Sequence, residues 1–189
     1  HWVDFKNTDV FLIMGSNPAS NHPVSFKWIM EAVEKRGAKI ICVDPRFTQS
    51  AAKAHLYAPL RSGTDIAFLG GMIKYILDNK LYFEEYIKHY TNATFLVNPA
   101  LRLPGDNKGV FSGLVNGKYE KDTWSYQTDA NGVIRKDPTM KDKNCVFQLL
   151  KKHYARYTPE LVSRITGTPE DKLIEVYKLY GSTGKPNKA

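Results

Sequence analysis

Val10-Phe11-Leu12-Ile13-Met14-Gly15-Ser16-Asn17-Pro18-Ala19-Ser20-Asn21-His22-Pro23 is the stretch on which the fold turns. An unbroken apolar run from Val10 to Met14 suits a parallel strand covered on both faces. Gly15 lets the main chain approach a ligand closely, and a helix starting just beyond it aims free N–H groups and the positive end of its dipole at the same place. Asn17, Ser20 and Asn21 add neutral donors. Phe26, Ile29, Met30 and Val33 then recur at i, i+3, i+4 and i+7, which predicts a helix with one apolar face, ended by Gly37. Lys39 to Val43 reads as a second strand. It delivers Asp44-Pro45-Arg46 at its carboxyl end, where open α/β sheets place ligands and where a carboxylate can accept from ribose hydroxyls. Together these residues predict a β-loop-α-β unit that holds a nucleotide. The loop is not G-x-G-x-x-G, so the ordinary dinucleotide fingerprint fails at its second and third glycines, and a Gly-Asn-Pro turn that only caps a helix is the competing reading.

Beyond this unit, Phe47 to Ala52 is short and helix-compatible, and His55 to Pro59 reads as a third strand. Arg61-Ser62-Gly63-Thr64-Asp65 opens a helix with Ile66, Leu69, Met72, Ile73, Ile76 and Leu77 on one broad face and Thr64 or Asp65 at its N-cap. Three strand-to-loop junctions, Gly15–His22, Asp44–Arg46 and Gly63–Asp65, therefore fall at one edge of a parallel sheet, which points to a ligand crevice more strongly than any single loop. The tandem Gly70-Gly71 costs the helix about 1 kcal/mol per glycine relative to alanine, and close packing on the sheet is expected to offset it. Tyr82, Phe83, Tyr86 and Tyr90 are expected in the core. From 98 to 143, Pro, Gly and Asn-Gly punctuation predicts a surface insertion with one or two β-hairpins and exposed Trp124 and Tyr126. Residues 144–180 return to helix, with Thr158-Pro159 and Thr168-Pro169 as paired N-cap and first-turn signals. Residues 181–189 read as a cut linker, making 1–189 a single α/β domain with a Rossmann-like parallel sheet and flanking helices.

A chain of 189 residues with 42% hydrophobic composition can bury a core. Its formal charge of +8, from 27 Lys and Arg against 19 Asp and Glu, invites a nucleic-acid reading. The basic residues are scattered, however, and no RNP-type strand or helix-turn-helix accompanies them, so no nucleic-acid partner is expected; the positive field suits an anionic cofactor or an acidic partner subunit. No apolar run approaches the roughly 20 residues of a membrane helix, so no direct membrane insertion is expected. Cys42 and Cys145 form no C-x-x-C, and the histidines are spread along the chain, leaving no metal set; only His22 lies in a candidate site.

The pattern Gly15-Ser16-Asn17-Pro18-Ala19 with His22-Pro23, Asp44-Pro45-Arg46, Ser62-Gly63-Thr64-Asp65-Ile66-Ala67, and Tyr157-Thr158-Pro159-Glu160 leading to Ile165-Thr166-Gly167 resembles the molybdopterin oxidoreductase family. Within it the chain looks most like the catalytic alpha subunit of respiratory formate dehydrogenases, His1-Trp2-Val3-Asp4 and the insertion through Trp124 being similar to the membrane-associated or periplasmic type. The resemblance implies a bis(molybdopterin guanine dinucleotide) cofactor carrying molybdenum or tungsten, one arm of which this domain grips. Asn17, Ser20 and Asn21, with Gly15 and His22 in the same loop, would then lie toward the pyrophosphate, Asp44 and Arg46 toward ribose and phosphate, and Gly63, Thr64 and Asp65 toward the guanine. Chemistry agrees where it can speak, since a carboxylate accepts together from guanine N1–H and its exocyclic amine, a donor pair that adenine lacks, and Arg46 offers a fork for phosphate. The resemblance also implies that the catalytic groups lie elsewhere: a metal-bound selenocysteine or cysteine followed by histidine and the cysteines of a 4Fe-4S cluster before His1, and a substrate-pocket arginine after Ala189. No catalytic residue and no metal ligand is expected within the chain, which alone should be inactive. The whole enzyme would oxidise formate to carbon dioxide in the periplasm, passing electrons to an iron-sulfur beta subunit and a cytochrome or membrane gamma subunit. A stand-alone NAD- or nucleotide-binding module is the alternative.

Overall fold

A computed structural model describes residues 1–188, which fold as two compact units: residues 1–83 together with the stretch from 157 onward, and residues 84–156. The first unit opens with a 3-10 turn, Trp2–Asn7, followed by β1 (Val10–Met14), α1 (Pro18–Asn21), α2 (Pro23–Arg36), β2 (Lys39–Val43), α3 (Gln49–Ala52), β3 (Leu56–Ala58) and α4 (Asp65–Asp78). The second carries α5 (Glu84–Tyr90), the hairpin β4 (Leu114–Val115) and β5 (Lys118–Tyr119), and α6 (Val146–Tyr154). The chain then returns to the first unit with α7 (Pro159–Thr166) and α8 (Glu170–Gly181).

The sheet of the first unit is parallel in the order β1-β2-β3, with Val10 opposite Lys39, Met14 opposite Val43, and Val43 opposite Ala58. Successive side chains of a strand face opposite ways, so the apolar runs serve two cores at once. On one side Phe11, Ile13, Ile40 and Cys42 pack with Phe26, Ile29 and Ala32 of α2 and Ala51 of α3. On the other, Ile41, Val43, Leu56 and Ala58 pack with Phe68 and Met72 of α4, Val162 of α7, and Leu173, Val176 and Tyr177 of α8. The expected α/β architecture with flanking helices is present, and α2 ends at Gly37 as its sequence predicts.

Three local expectations are corrected by tertiary partners. The Gly70-Gly71 pair serves helix-on-helix contact rather than contact with the sheet: a Cβ on Gly70 would lie 2.9 Å from the Tyr157 ring, and one on Gly71 would lie 2.6 Å from the Tyr177 hydroxyl and 2.9 Å from Val162. Thr168 is not the N-cap of α8; Pro169 takes that position, while the buried Thr168 hydroxyl donates to the Pro59 carbonyl. Of the aromatic set, Tyr86 and Tyr90 stack on each other at 5.3 Å and remain 54% and 77% exposed, so they are surface rather than core. In the second unit the Lys118-Tyr119 segment pairs with Leu114-Val115, isolated bridges join Val97 to Tyr126 and Thr128 to Ile134, and Trp124 is a partly exposed ring against Phe111 and Tyr119. This unit is wider on both sides than the 98–143 stretch marked by turn residues.

Candidate functional site

Because all three strands run the same way, the loops that follow β1, β2 and β3 leave from one edge of the sheet. In the first loop Gly15 adopts φ +60° and its N–H donates to the Val43 carbonyl at 3.0 Å, tying the end of β1 to the end of β2. A Cβ built on Gly15 meets nothing within 4 Å, and the same holds for Gly63 in the third loop at φ +80°. Both turns are thus bare on the outside and in a backbone conformation that favours glycine. The helix predicted to start beyond Gly15 forms in two pieces, α1 and α2, each with proline at its start. The α1 amides are used internally: Ala19 N–H donates to Ser50 Oγ at 3.0 Å, and those of Ser20 and Asn21 to the Asn17 carbonyl.

The side chains of this loop are largely engaged by one another and by α3. Asn17 Oδ1 accepts from both Ser50 N–H, at 3.1 Å, and Ser50 Oγ, at 2.9 Å. Ser20 Oγ donates to Gln49 Oε1 at 2.7 Å, and Asn21 Oδ1 pairs with His22 Nδ1 at 2.7 Å. The His22 ring stacks on Trp2, centroids 5.7 Å apart. Two clefts flank that ring, one of about 610 Å³ walled by Trp2, Val24 and Trp28, and one of about 640 Å³ running past Met14, Ser16 and Pro18 toward Tyr180.

At the second junction Asp44 is 8% exposed and its Oδ1 accepts from Arg46 N–H at 2.8 Å, while the Arg46 side chain is exposed. Tyr57 on the neighbouring strand donates its hydroxyl to the Asp44 carbonyl at 2.9 Å. Burial, with the Asp44 charge nearby, pushes Tyr57 above the usual phenol range and Cys42 up to about 11, so neither serves as a base or nucleophile near neutrality. At the third junction Thr64 precedes α4 and its Oγ1 donates to the Arg61 carbonyl at 2.6 Å; Asp65 stands exposed in the first turn. Arg61 anchors this loop from below: its N–H donates to Thr166 O at 2.7 Å and its guanidinium to the carbonyls of Arg164 and Ile165 at 3.0 and 3.1 Å.

Hydrogen bonds therefore join the first and second junctions directly, while the third is fastened to the end of α7. Sequence reasoning missed Ser50, Gln49 and Arg61. The one local signal was Thr48, which caps α3 by accepting from Ala51 N–H at 3.2 Å and so places Ser50 on the first turn. Among the described residues no group of three or more His, Cys, Asp or Glu side chains is placed to hold a metal, and no helix is long and apolar enough to cross a membrane.

A parallel α/β sheet with flanking helices and three loops leaving its carboxyl edge, two of them carrying bare glycine turns, defines a Rossmann-like class of unit. The sequence places it within that class: the molybdopterin oxidoreductase family model matches residues 1–147, and the chain belongs to that family. It is 52% identical to formate dehydrogenase subunit alpha of Megalodesulfovibrio gigas and 46% identical to the nitrate-inducible formate dehydrogenase major subunit of Escherichia coli (strain K12), covering in each case 100% of this chain and 18% of the relative. The F420-dependent formate dehydrogenase subunit alpha of Methanocaldococcus jannaschii is 28% identical over 95% of this chain and 19% of its own length. Acetylene hydratase from Pelobacter acetylenicus shares the fold, with a TM-score of 0.58 and 24% identity over 92% of this chain and 16% of that one. The chain thus spans under a fifth of the curated relatives it matches.

Proposed function

We propose that this chain is the part of a formate dehydrogenase alpha subunit that holds one guanine dinucleotide arm of a bis(molybdopterin guanine dinucleotide) cofactor carrying molybdenum or tungsten. The observation that carries the reading is the set of exposed polar groups at one sheet edge, Arg46 and Asp65 beside the bare turns of Gly15 and Gly63, in a chain about half identical along its whole length to formate dehydrogenase alpha subunits. The residues fit the group. The Gly15 turn and the Asn17 amide offer uncharged contacts for a pyrophosphate, Arg46 a forked cation for phosphate oxygens, Asp44 a fixed carboxylate for ribose, and Asp65, with Gly63 and Thr64, a twin acceptor for guanine. Ser20 ties the first loop to α3 through Gln49, and Asn21 and His22 line the Trp2 cleft.

When bound, such a cofactor supplies two-electron redox chemistry at its metal. This chain's residues bind and orient its nucleotide end. In the intact protein the reaction is oxidation of formate to carbon dioxide, with a 4Fe-4S cluster carrying electrons toward an iron-sulfur beta subunit and a cytochrome or membrane gamma subunit, and the enzyme working in the periplasm. The relatives' names support the reaction, and the +8 charge suits a highly anionic ligand.

The test is made on the full-length protein stripped of cofactor. Guanosine diphosphate should compete for the site more strongly than adenosine diphosphate, and Asp65→Asn should reduce that preference by about tenfold, since an amide cannot offer both acceptor oxygens. Equal competition by the two nucleotides in the unaltered protein would overturn the guanine assignment.

A further inference from the structure

We infer that Ser50 is a positioning residue for the nucleotide arm: buried at the start of α3, it fixes the direction in which Asn17 presents its amide to the ligand. The inference rests on the cofactor-holding reading above.

Ser50 is fully buried, although its hydroxyl belongs to a loop-proximal helix of only one turn. That hydroxyl is used twice, donating to Asn17 Oδ1 at 2.9 Å and accepting from Ala19 N–H at 3.0 Å, and the Ser50 amide adds a second bond to the same Oδ1 at 3.1 Å. A backbone N–H can only donate, so the Asn17 atom facing Ser50 is the oxygen, and the orientation of the side-chain amide is determined by chemistry. With Oδ1 turned inward onto α3, the Nδ2 branch of the planar amide points away from Ser50. An asparagine alone would rotate about χ2, whose preferences are broad. Two donors on one oxygen hold it in a single orientation, and the Gln49 contact to Ser20 and the Gly15 contact to Val43 hold the backbone on either side. The first loop is therefore aimed from the second, and neither loop keeps its ligand-ready shape without the other.

This assigns Asn17 two separable jobs, an inward acceptor and an outward donor, of which Ser50 governs the second without touching the ligand. In the full-length holoprotein, guanine nucleotide remaining bound is measured over time after dilution, by chromatography of the acid-released nucleotide, alongside the melting temperature. Ser50→Ala should lose nucleotide about tenfold faster than the unaltered protein, the effect of one buried hydrogen-bond hub. Ser50→Thr, which keeps the hydroxyl, should restore retention, and Asn17→Asp, which keeps the inward acceptors but lacks Nδ2 donors and adds negative charge, should lose nucleotide while leaving the α3 tie intact. Unchanged retention in Ser50→Ala, or losses in Ser50→Ala and Ser50→Thr that simply follow their melting temperatures, would overturn the positioning role. Retention in Asn17→Asp equal to the unaltered protein would overturn the outward donor. If the unaltered holoprotein releases no guanine nucleotide, the proposed function itself fails, and this inference falls with it.

Discussion

Replacing Gly71 with alanine should destabilise the protein, against the ordinary expectation for a helix interior, where removing a glycine gains about 1 kcal/mol. The new methyl would sit 2.6 Å from the Tyr177 hydroxyl and 2.9 Å from Val162, and Tyr177 and Val162 are both fully buried. Overpacking of this kind costs about 1–3 kcal/mol. Displacing Tyr177 would also endanger the 2.8 Å bond its hydroxyl donates to the Phe68 carbonyl, and a buried hydroxyl without a partner costs about 1–3 kcal/mol more. Burial pushes the Tyr177 hydroxyl far above the usual phenol range, so ionisation offers no escape. Setting the helix gain against these costs leaves a net loss of about 1–5 kcal/mol. Urea unfolding of Gly71→Ala, Tyr177→Phe and the double variant forms a cycle that isolates the cause. Removing the hydroxyl removes the closest clash and leaves Val162 at 2.9 Å and the Tyr177 ring carbon at 3.3 Å, so the double variant should recover about 1 kcal/mol relative to the sum of the single changes while staying less stable than Tyr177→Phe alone. A Gly71→Ala variant as stable as the parent, or single changes that simply add, would refute the claim that this glycine exists to seat Tyr177.

Further outcomes follow from titratable groups. His55 is held below its usual pKa by burial and by Lys39, and its Nδ1 accepts from the Ile40 N–H at 3.1 Å, a bond the protonated ring cannot accept. Because the folded pKa lies below the unfolded one, this contribution is complete above the unfolded value near 6.5 and declines as pH falls through that value toward the folded one; melting temperatures between pH 7.5 and 5 should fall, and His55→Ala should flatten the slope. Asp137 gathers Thr139 Oγ1 and the amides of Thr139, Lys141 and Asp142, which hold its carboxyl at about 2. Its depressed pKa makes that loop's order persist above the ordinary carboxylate range and fade only as pH falls toward 2, whereas Asp137→Asn should speed hydrogen exchange at the Lys141 and Asp142 amides at neutral pH.

The parts of the fold that depend on local pattern were legible. Val10–Met14 and Lys39–Val43 are buried on alternating sides because an apolar run can serve two cores, and Thr158-Pro159 starts α7 because a side-chain cap and a fixed φ act within one turn. Legibility ended where a distant residue decides the outcome. Thr168 carries the same local signal as Thr158, yet its hydroxyl goes to the Pro59 carbonyl, far away in sequence. The glycine pair announced a close approach but could not name Tyr157 and Tyr177 as the approaching groups. At the site, Gly15, Asp44 and Gly63 were readable as junction residues, whereas Ser50 sits among small polar residues and gains its meaning only when Asn17 is folded against it.

The fastening of Arg61 to the Arg164 carbonyl across 103 positions has a consequence for synthesis. A ribosome making about 5–20 residues per second takes roughly 5–20 s to cover that span. For most of that interval α4 has been made while the helices that cover its glycine face have not. The nascent sheet must wait, with Phe68 and Met72 uncovered, until residues 84–156 have emerged and α7 and α8 arrive. Completion of the first unit is thus timed by a segment that contributes no residue to its buried core clusters.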